Sequence, residues 1–157
     1  MAINFTPSVG AILECNYGDY ARGPNGALIS NHFDGHLQPE MVKNRLVVVL
    51  NGKINSNACI VVPLSTTQDH DKIRRGMHVE IPENTIDDLH YFHAQLRWAK
   101  ADLVQQVSRN RLFLPRLATR GYLNRGLPRD MMTLIQRAVI KSINASSLLA
   151  PEPEAGS

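Results

Sequence analysis

Three short clusters of this chain carry side chains able to handle a phosphate. In PEMVKNRLVVVL (residues 39–50), Glu40, Lys43 and Arg45 stand directly ahead of a run of apolar β-formers. In IVVPLSTT (residues 60–67), Ser65, Thr66 and Thr67 offer three successive hydroxyls at the end of another apolar run. In RWAKAD (residues 97–102), Lys100 and Asp102 are two apart, so on a strand both would point to the same face. A guanidinium grips phosphate oxygens with two parallel N–H groups, hydroxyls orient the phosphate, and a carboxylate accepts a proton. Together these groups suit a phosphodiester. An equally simple reading pairs Arg45 with Glu40 on the surface and uses the hydroxyls to cap a turn.

The histidines add less. His32 and His36 flank Phe33-Asp34-Gly35 in a polar stretch, where an imidazole can serve as acid or base or remain a plain loop residue. His90 and His93 are three apart and His70 lies in DHD, but no third ligand follows at a metal-binding spacing. Cys15 and Cys59 form no metal motif and read as small core residues in a reducing compartment. No nucleophile elbow, phosphate-binding P-loop or dinucleotide fingerprint occurs. No metal or other cofactor is expected.

The elements that position these groups can be read from period and punctuation. Strands are expected at Val9–Tyr17, Val47–Leu50, Ala58–Leu64 and Met77–Ile81, with a final one inside Leu96–Val107. Asn51-Gly52 reads as a turn, and Pro63 places its strand's end at a sheet edge or bulge. The stretch from Gly18 to Lys43 is a loop of about 25 residues, a length usually tied to function or disorder. Residues 65–76 read as loop, and 82–95 as a second excursion with a helical turn near 85–93. After Pro128, apolar residues recur every four positions (Ile135, Val139, Ile143), joined by Met131, Met132 and Ala138. That predicts an amphipathic C-terminal helix ending near Asn144. Short strands, long loops and one terminal helix suggest a mainly β fold with added α, a small and strongly bent β-barrel.

At 157 residues, with 43% apolar and 20% charged residues, the chain suits one domain with a core. The domain is read as residues 1–147, with 148–157 a disordered acidic tail. No apolar run approaches a membrane span and the N-terminus lacks a signal-peptide layout, so a cytoplasmic location is expected. The net charge of +3 is uneven: ten Lys/Arg between Arg97 and Lys141 face two acids, Asp102 and Asp130. Such a stretch suits a polyanion or an acidic protein partner.

These pieces, in this order, resemble the MazF/PemK (Kid-like) toxins of bacterial toxin–antitoxin systems. VGAILECNY is similar to the family's opening strand, PEMVKNRLVVVL to its acid-then-Arg-Pro-valine block, IVVPLSTT to its V-P-x-[ST]-[ST] signature and MHVEI to its next short strand. WAKADLVQQVSRNRL resembles the Asp-Gln-(x)n-Arg-Leu segment, and the match spans about residues 8–145. The resemblance implies an SH3-like (MazF/CcdB-type) barrel, a homodimer and a cognate antitoxin. It also implies metal-independent cleavage of single-stranded RNA by the RNA's own 2′-hydroxyl, leaving a 2′,3′-cyclic phosphate and a 5′-hydroxyl. By position, Arg45 would stabilise the phosphorane and Ser65 would be the catalytic hydroxyl, with Glu40 or Asp102 as base. Lys43, Thr66, Thr67, Lys100, His32 and His36 would hold RNA. A catalytically silent relative that binds RNA or antitoxin is one alternative. The other is a CcdB-type gyrase poison, though that family relies on a C-terminal Trp-Gly-Ile and this sequence ends PEPEAGS. Leu46 stands where the family usually has Pro, and the loops 18–43 and 65–95 are longer than in compact members.

Overall fold

Runs of β-branched residues need cover on both faces, and the two central strands have it. In the computed structural model, which describes residues 1–28 and 35–149, these are β2 (Asn44–Asn55) and β3 (Ala58–Ser65), an antiparallel hairpin. Alternate residues go to opposite sides. Leu46, Val48, Val62 and Leu64 enter one buried cluster; Val47, Val49, Cys59 and Val61 enter the other. Around the hairpin lie β1 (Ile12–Asn16), β4 (His78–Ile81), β5 (Arg97–Lys100), β6 (Gln105–Ser108) and β7 (Leu112–Phe113). The sheet runs β4-β5-β3-β2-β1-β7, with β6 also on β3. The expected mainly β fold with a bent sheet and a C-terminal helix is present; its end strands β4 and β7 do not pair with each other among the described residues, so the sheet is left open there.

The sheet also branches on the outer side of β3. Ala58–Val61 pair with β6 and Leu64–Ser65 with β5, and Pro63, which has no N–H for a ladder, falls in the gap. The single strand expected within Leu96–Val107 is therefore two, separated by the 3-10 turn Ala101–Leu103. Leu64 pairs with Ala99 and Val61 with Gln105, so the turn inserts three residues that β3 does not match. Asp102 sits in that turn, so Lys100 and Asp102 do not share a strand face.

The expected turn at Asn51-Gly52 is also absent. Both residues lie inside β2, where the register slips twice, and the hairpin turns instead at Ser56-Asn57. Gly52 is there because the N-terminal segment crosses it: a Cβ at this position would meet the Pro7 carbonyl oxygen at 2.2 Å. Residues 65–76 contain a short helix, α1 (His70–Arg74), whose N-cap Asp69 accepts from the Lys72 N–H at 3.1 Å. Residues 82–95 form no helix; Ile86 and Leu89 anchor them in the first cluster. The C-terminal helix α2 (Arg129–Ser142) follows Pro128 and buries Met132, Ile135 and Ala138 in or beside that cluster. Ile143, counted on its apolar stripe, is the C-cap and is exposed. A last 3-10 turn, Ser146–Leu148, runs one residue past the expected domain end. No helix among the described residues is long and apolar enough to cross a membrane.

Candidate active site

The long loop leaves and rejoins the sheet through a tight neck. Lys43 donates its N–H to the Gly18 carbonyl at 2.5 Å, and Tyr17 donates to the Lys43 carbonyl at 3.0 Å. Lys43 is exposed and holds φ of 72°, a left-handed conformation uncommon outside glycine. Two residues on, Arg45 begins the buried run of β2. It is half-buried, and its Nε donates to the Val42 carbonyl at 3.1 Å. Its terminal nitrogens make no hydrogen bond to the described residues.

The ladder then brings the hydroxyls to the guanidinium. Leu46 pairs with Leu64 and Val47 with Pro63, and the same register carried one step further sets Ser65 opposite Arg45. Directly opposed residues project from the same face of a sheet. Ser65 is half-buried, and its Oγ accepts from the Thr67 N–H at 3.1 Å, leaving its own O–H free to donate. Thr66 and Thr67 are exposed beside it.

On the same face, His36, Glu40, Met41, Asp102 and Gln105 help line a groove of about 390 Å³. Gln105 lies opposite Val61 and Met41 packs on the second cluster, which fixes the side of the sheet on which the groove opens. Glu40 is exposed, and one carboxylate oxygen accepts from the Leu37 N–H at 2.8 Å. The backbone closes the same turn with Glu40 N–H donating to the Leu37 carbonyl at 2.7 Å. His36 packs against Gly18, where a Cβ would approach its Nε2 to 3.1 Å. Loop, neck and strand are thus locked together. His32 lies outside the described residues.

Asp102 is held differently. It contacts Lys72 Nζ of α1 and His78 Nε2 of β4, the latter at 2.7 Å, with its side chain 12% exposed. Burial alone would raise its pKa, but the hydrogen bonds and charges of Lys72 and His78 outweigh burial and hold it below the usual carboxylate value. Lys100 lies opposite His78 and is half-buried. Neither Lys72 nor His78 was singled out from the sequence. Alternation in MHVEI sets His78 with Glu80 on the strand's polar face, so local pattern held no sign that His78 is buried.

Other reactive groups are enclosed. Burial raises the Cys15 thiol to about 12. Tyr17 is 2% exposed, and burial pushes its hydroxyl up as well. Among the described residues, no three His, Cys, Asp or Glu side chains stand close enough to hold a metal ion. Part of the basic stretch is tied into the fold. Arg97 is buried and donates to the His93 carbonyl, Arg109 binds the Gly52 carbonyl, Arg111 the Asn16 carbonyl, and Arg125 pairs with Asp87.

Residues 25–143 match the family model described as PemK-like, MazF-like toxin of type II toxin–antitoxin system. The chain belongs to this family. Relatives of this PemK/MazF chain include the uncharacterized protein YifN of Escherichia coli K12, 66% identical over 149 residues that cover 95% of this chain and 99% of the relative. An uncharacterized protein of Haemophilus influenzae is 45% identical over 144 residues, 91% of this chain and 94% of its own. Among solved structures, a mycobacterial endoribonuclease in complex with its cognate antitoxin aligns with a TM-score of 0.52 at 15% identity, covering 92% of this chain and 99% of that one. This last likeness concerns the fold. In this PemK/MazF chain Leu46, at the family's usual proline position, is 1% exposed in the first cluster, so it serves the core.

Proposed function

We propose that this chain is a type II toxin that cleaves single-stranded RNA by in-line attack of the substrate's 2′-hydroxyl, without a metal. The observation that carries the reading is Ser65 set opposite Arg45 on the face that also holds the Glu40–His36 groove. Glu40, with one oxygen tied to the Leu37 N–H, takes the 2′-hydroxyl proton with the other. The new O–P bond forms as the 5′-oxygen leaves, accepting a proton from the His36 imidazole as general acid. Arg45 and the Ser65 hydroxyl hold the charge that develops on the phosphoryl oxygens. The products are a 2′,3′-cyclic phosphate and a 5′-hydroxyl. Lys43, Thr66, Thr67 and Lys100 guide the flanking backbone, and Asp102 serves as the anchor of the groove wall. An antitoxin and a second copy of this chain are the expected partners, in the cytoplasm.

The test is purified protein with single-stranded RNA in EDTA, with the ends sequenced. Site-preferring cleavage leaving 5′-hydroxyl ends is expected, slowed by roughly 10²–10³ in Arg45→Ala. Intact RNA, or equal cleavage by Arg45→Ala, overturns the reading; RNA bound but never cut points to a silent binding protein.

A further inference from the structure

The ladder that joins Arg45 to Ser65 does not end there. Ser65 pairs with Trp98 of β5, and Trp98 pairs with Glu80 of β4. Cys15, Arg45, Ser65, Trp98 and Glu80 therefore form one row across five strands, all on one face. Strands lie ~4.8 Å apart, so Glu80 stands roughly 9–10 Å from Ser65, within one nucleotide's reach of a phosphate held there.

Two features of this row are left unused by the fold and by the reaction above. The Glu80 carboxylate is exposed and makes no hydrogen bond or ion pair among the described residues. Trp98 is 9% exposed, and its indole nitrogen is buried without an acceptor among them. Buried N–H groups nearly always have a partner, so an orphan beside a substrate row calls for one that arrives with the ligand. The carboxylate only accepts hydrogen bonds and the indole nitrogen only donates. Single-stranded RNA presents its bases by their Watson–Crick edges. Guanine alone offers a carbonyl acceptor followed by two adjacent donors. Uracil, with one donor between two carbonyls, sets an acceptor against the acid, and adenine reverses the order of the first two groups.

We propose that Glu80 and Trp98 form a guanine subsite next to the scissile phosphate, Glu80 accepting from N1–H and the exocyclic amine while the Trp98 indole nitrogen donates to O6. The inference rests on the ribonuclease reading. The nitrogen is enclosed in the free protein, so the indole shifts as the base enters. Glu80, exposed and unpaired, is the specificity-determining member.

The test uses RNA oligonucleotides made non-cleavable by 2′-O-methylation at the scissile nucleotide, with guanine, inosine, adenine or uracil at the neighbouring base. Binding is read for wild type, Glu80→Gln and Trp98→Phe, and cleavage of the unmethylated set is read in parallel. Wild type should prefer guanine over uracil by at least about tenfold, with inosine between them because it lacks the amine. Glu80→Gln should lose most of that preference while keeping the unfolding midpoint. Trp98→Phe, which keeps an aromatic ring but loses the N–H together with part of the indole's volume, should weaken guanine selectively. Cleavage with the same base preference in wild type and Glu80→Gln overturns the subsite and leaves the ribonuclease reading standing. Guanine-selective binding that Glu80→Gln abolishes, with no cleavage of any oligonucleotide, overturns the ribonuclease reading and keeps the subsite. No selective binding in wild type overturns the subsite outright.

Discussion

Glu40 and Asp102 line one groove and are held in opposite ways. Glu40 sits on an exposed loop turn, and its carboxylate accepts one backbone N–H. Asp102 sits in the 3-10 turn between β5 and β6 and is bound by Lys72 and His78. A carboxylate with an ammonium and an imidazole on its oxygens is a poor proton acceptor, because taking a proton forfeits charge-assisted bonds on both sides. One with a free oxygen facing a groove has nothing to forfeit. On the proposed reading, the difference separates the base from a residue that builds the wall beside it.

The largest expected effect tests that division directly. Glu40→Gln keeps an oxygen for the Leu37 N–H and removes the base, so cleavage should fall by roughly 10²-fold or more with the unfolding midpoint unchanged. Asp102→Asn should do the reverse. It keeps the shape and removes the charge between Lys72 and His78, lowering stability by about 1–2 kcal/mol, while folded molecules cleave within a few-fold of wild type. Denaturant unfolding and single-turnover cleavage under folding conditions measure both. If fully folded Asp102→Asn loses activity while Glu40→Gln keeps it, the roles are exchanged; equal losses put both carboxylates in the reaction.

A third carboxylate sharpens the comparison through pH. Glu14 is 8% exposed in β1, and burial raises its pKa despite a 3.4 Å hydrogen bond from Asn44 and the charge of His90. A raised carboxyl favours folding when protonated, so its contribution is present in mild acid and is lost as pH rises through its folded pKa. Asp102 is depressed, so its contribution is full above the ordinary Asp value of about 3.9 and is lost as pH falls through its lower folded pKa. Stability should therefore rise modestly from neutral pH into mild acid and fall below about pH 4. Glu14→Gln should flatten the first limb and Asp102→Asn the second, read as unfolding midpoints across pH. A profile that Asp102→Asn leaves unchanged would show that the Lys72 and His78 contacts carry no weight.

The same contrast marks what could be read from the chain alone. The positions of Arg45 and Ser65 at strand ends were legible because each borders a run of apolar β-formers, and such runs predict buried strands from local pattern. The α2 helix was legible for the same reason, through its four-residue spacing. Asp102 was misread because its conformation depends on three residues inserted against β3, a fact of strand pairing that no local period records. Asn51-Gly52 failed likewise: a dipeptide that favours turns was used where Pro7 needed room over a strand. Glu80 and Trp98 are 15 and 33 residues from Ser65 in sequence and meet it only through register. The bent, mainly β fold was legible from short strands and long loops, whereas its open edges at β4 and β7 depend on pairing that no local pattern records.

The smallest expected effect concerns how Glu40 is kept in place. Its loop enters the sheet through Lys43, whose left-handed backbone is fixed by bonds to Gly18 and Tyr17. Lys43→Gly relieves a conformational cost of about 1–2 kcal/mol, but it also frees the unfolded chain by roughly 0.5–1 kcal/mol. The net change in stability should thus stay near 0.5–1 kcal/mol and be stabilising. Lys43→Asn tolerates the same backbone better than most residues and removes the same charge. Both variants should bind RNA a few-fold more weakly, with a shallower salt dependence from one lost phosphate contact, and with kcat unchanged. If Lys43→Gly alone lowers kcat, the stiffness of the neck is what aims Glu40. The carboxylate would then owe its reach to a backbone clamp as fully as Asp102 owes its place to side-chain bonds.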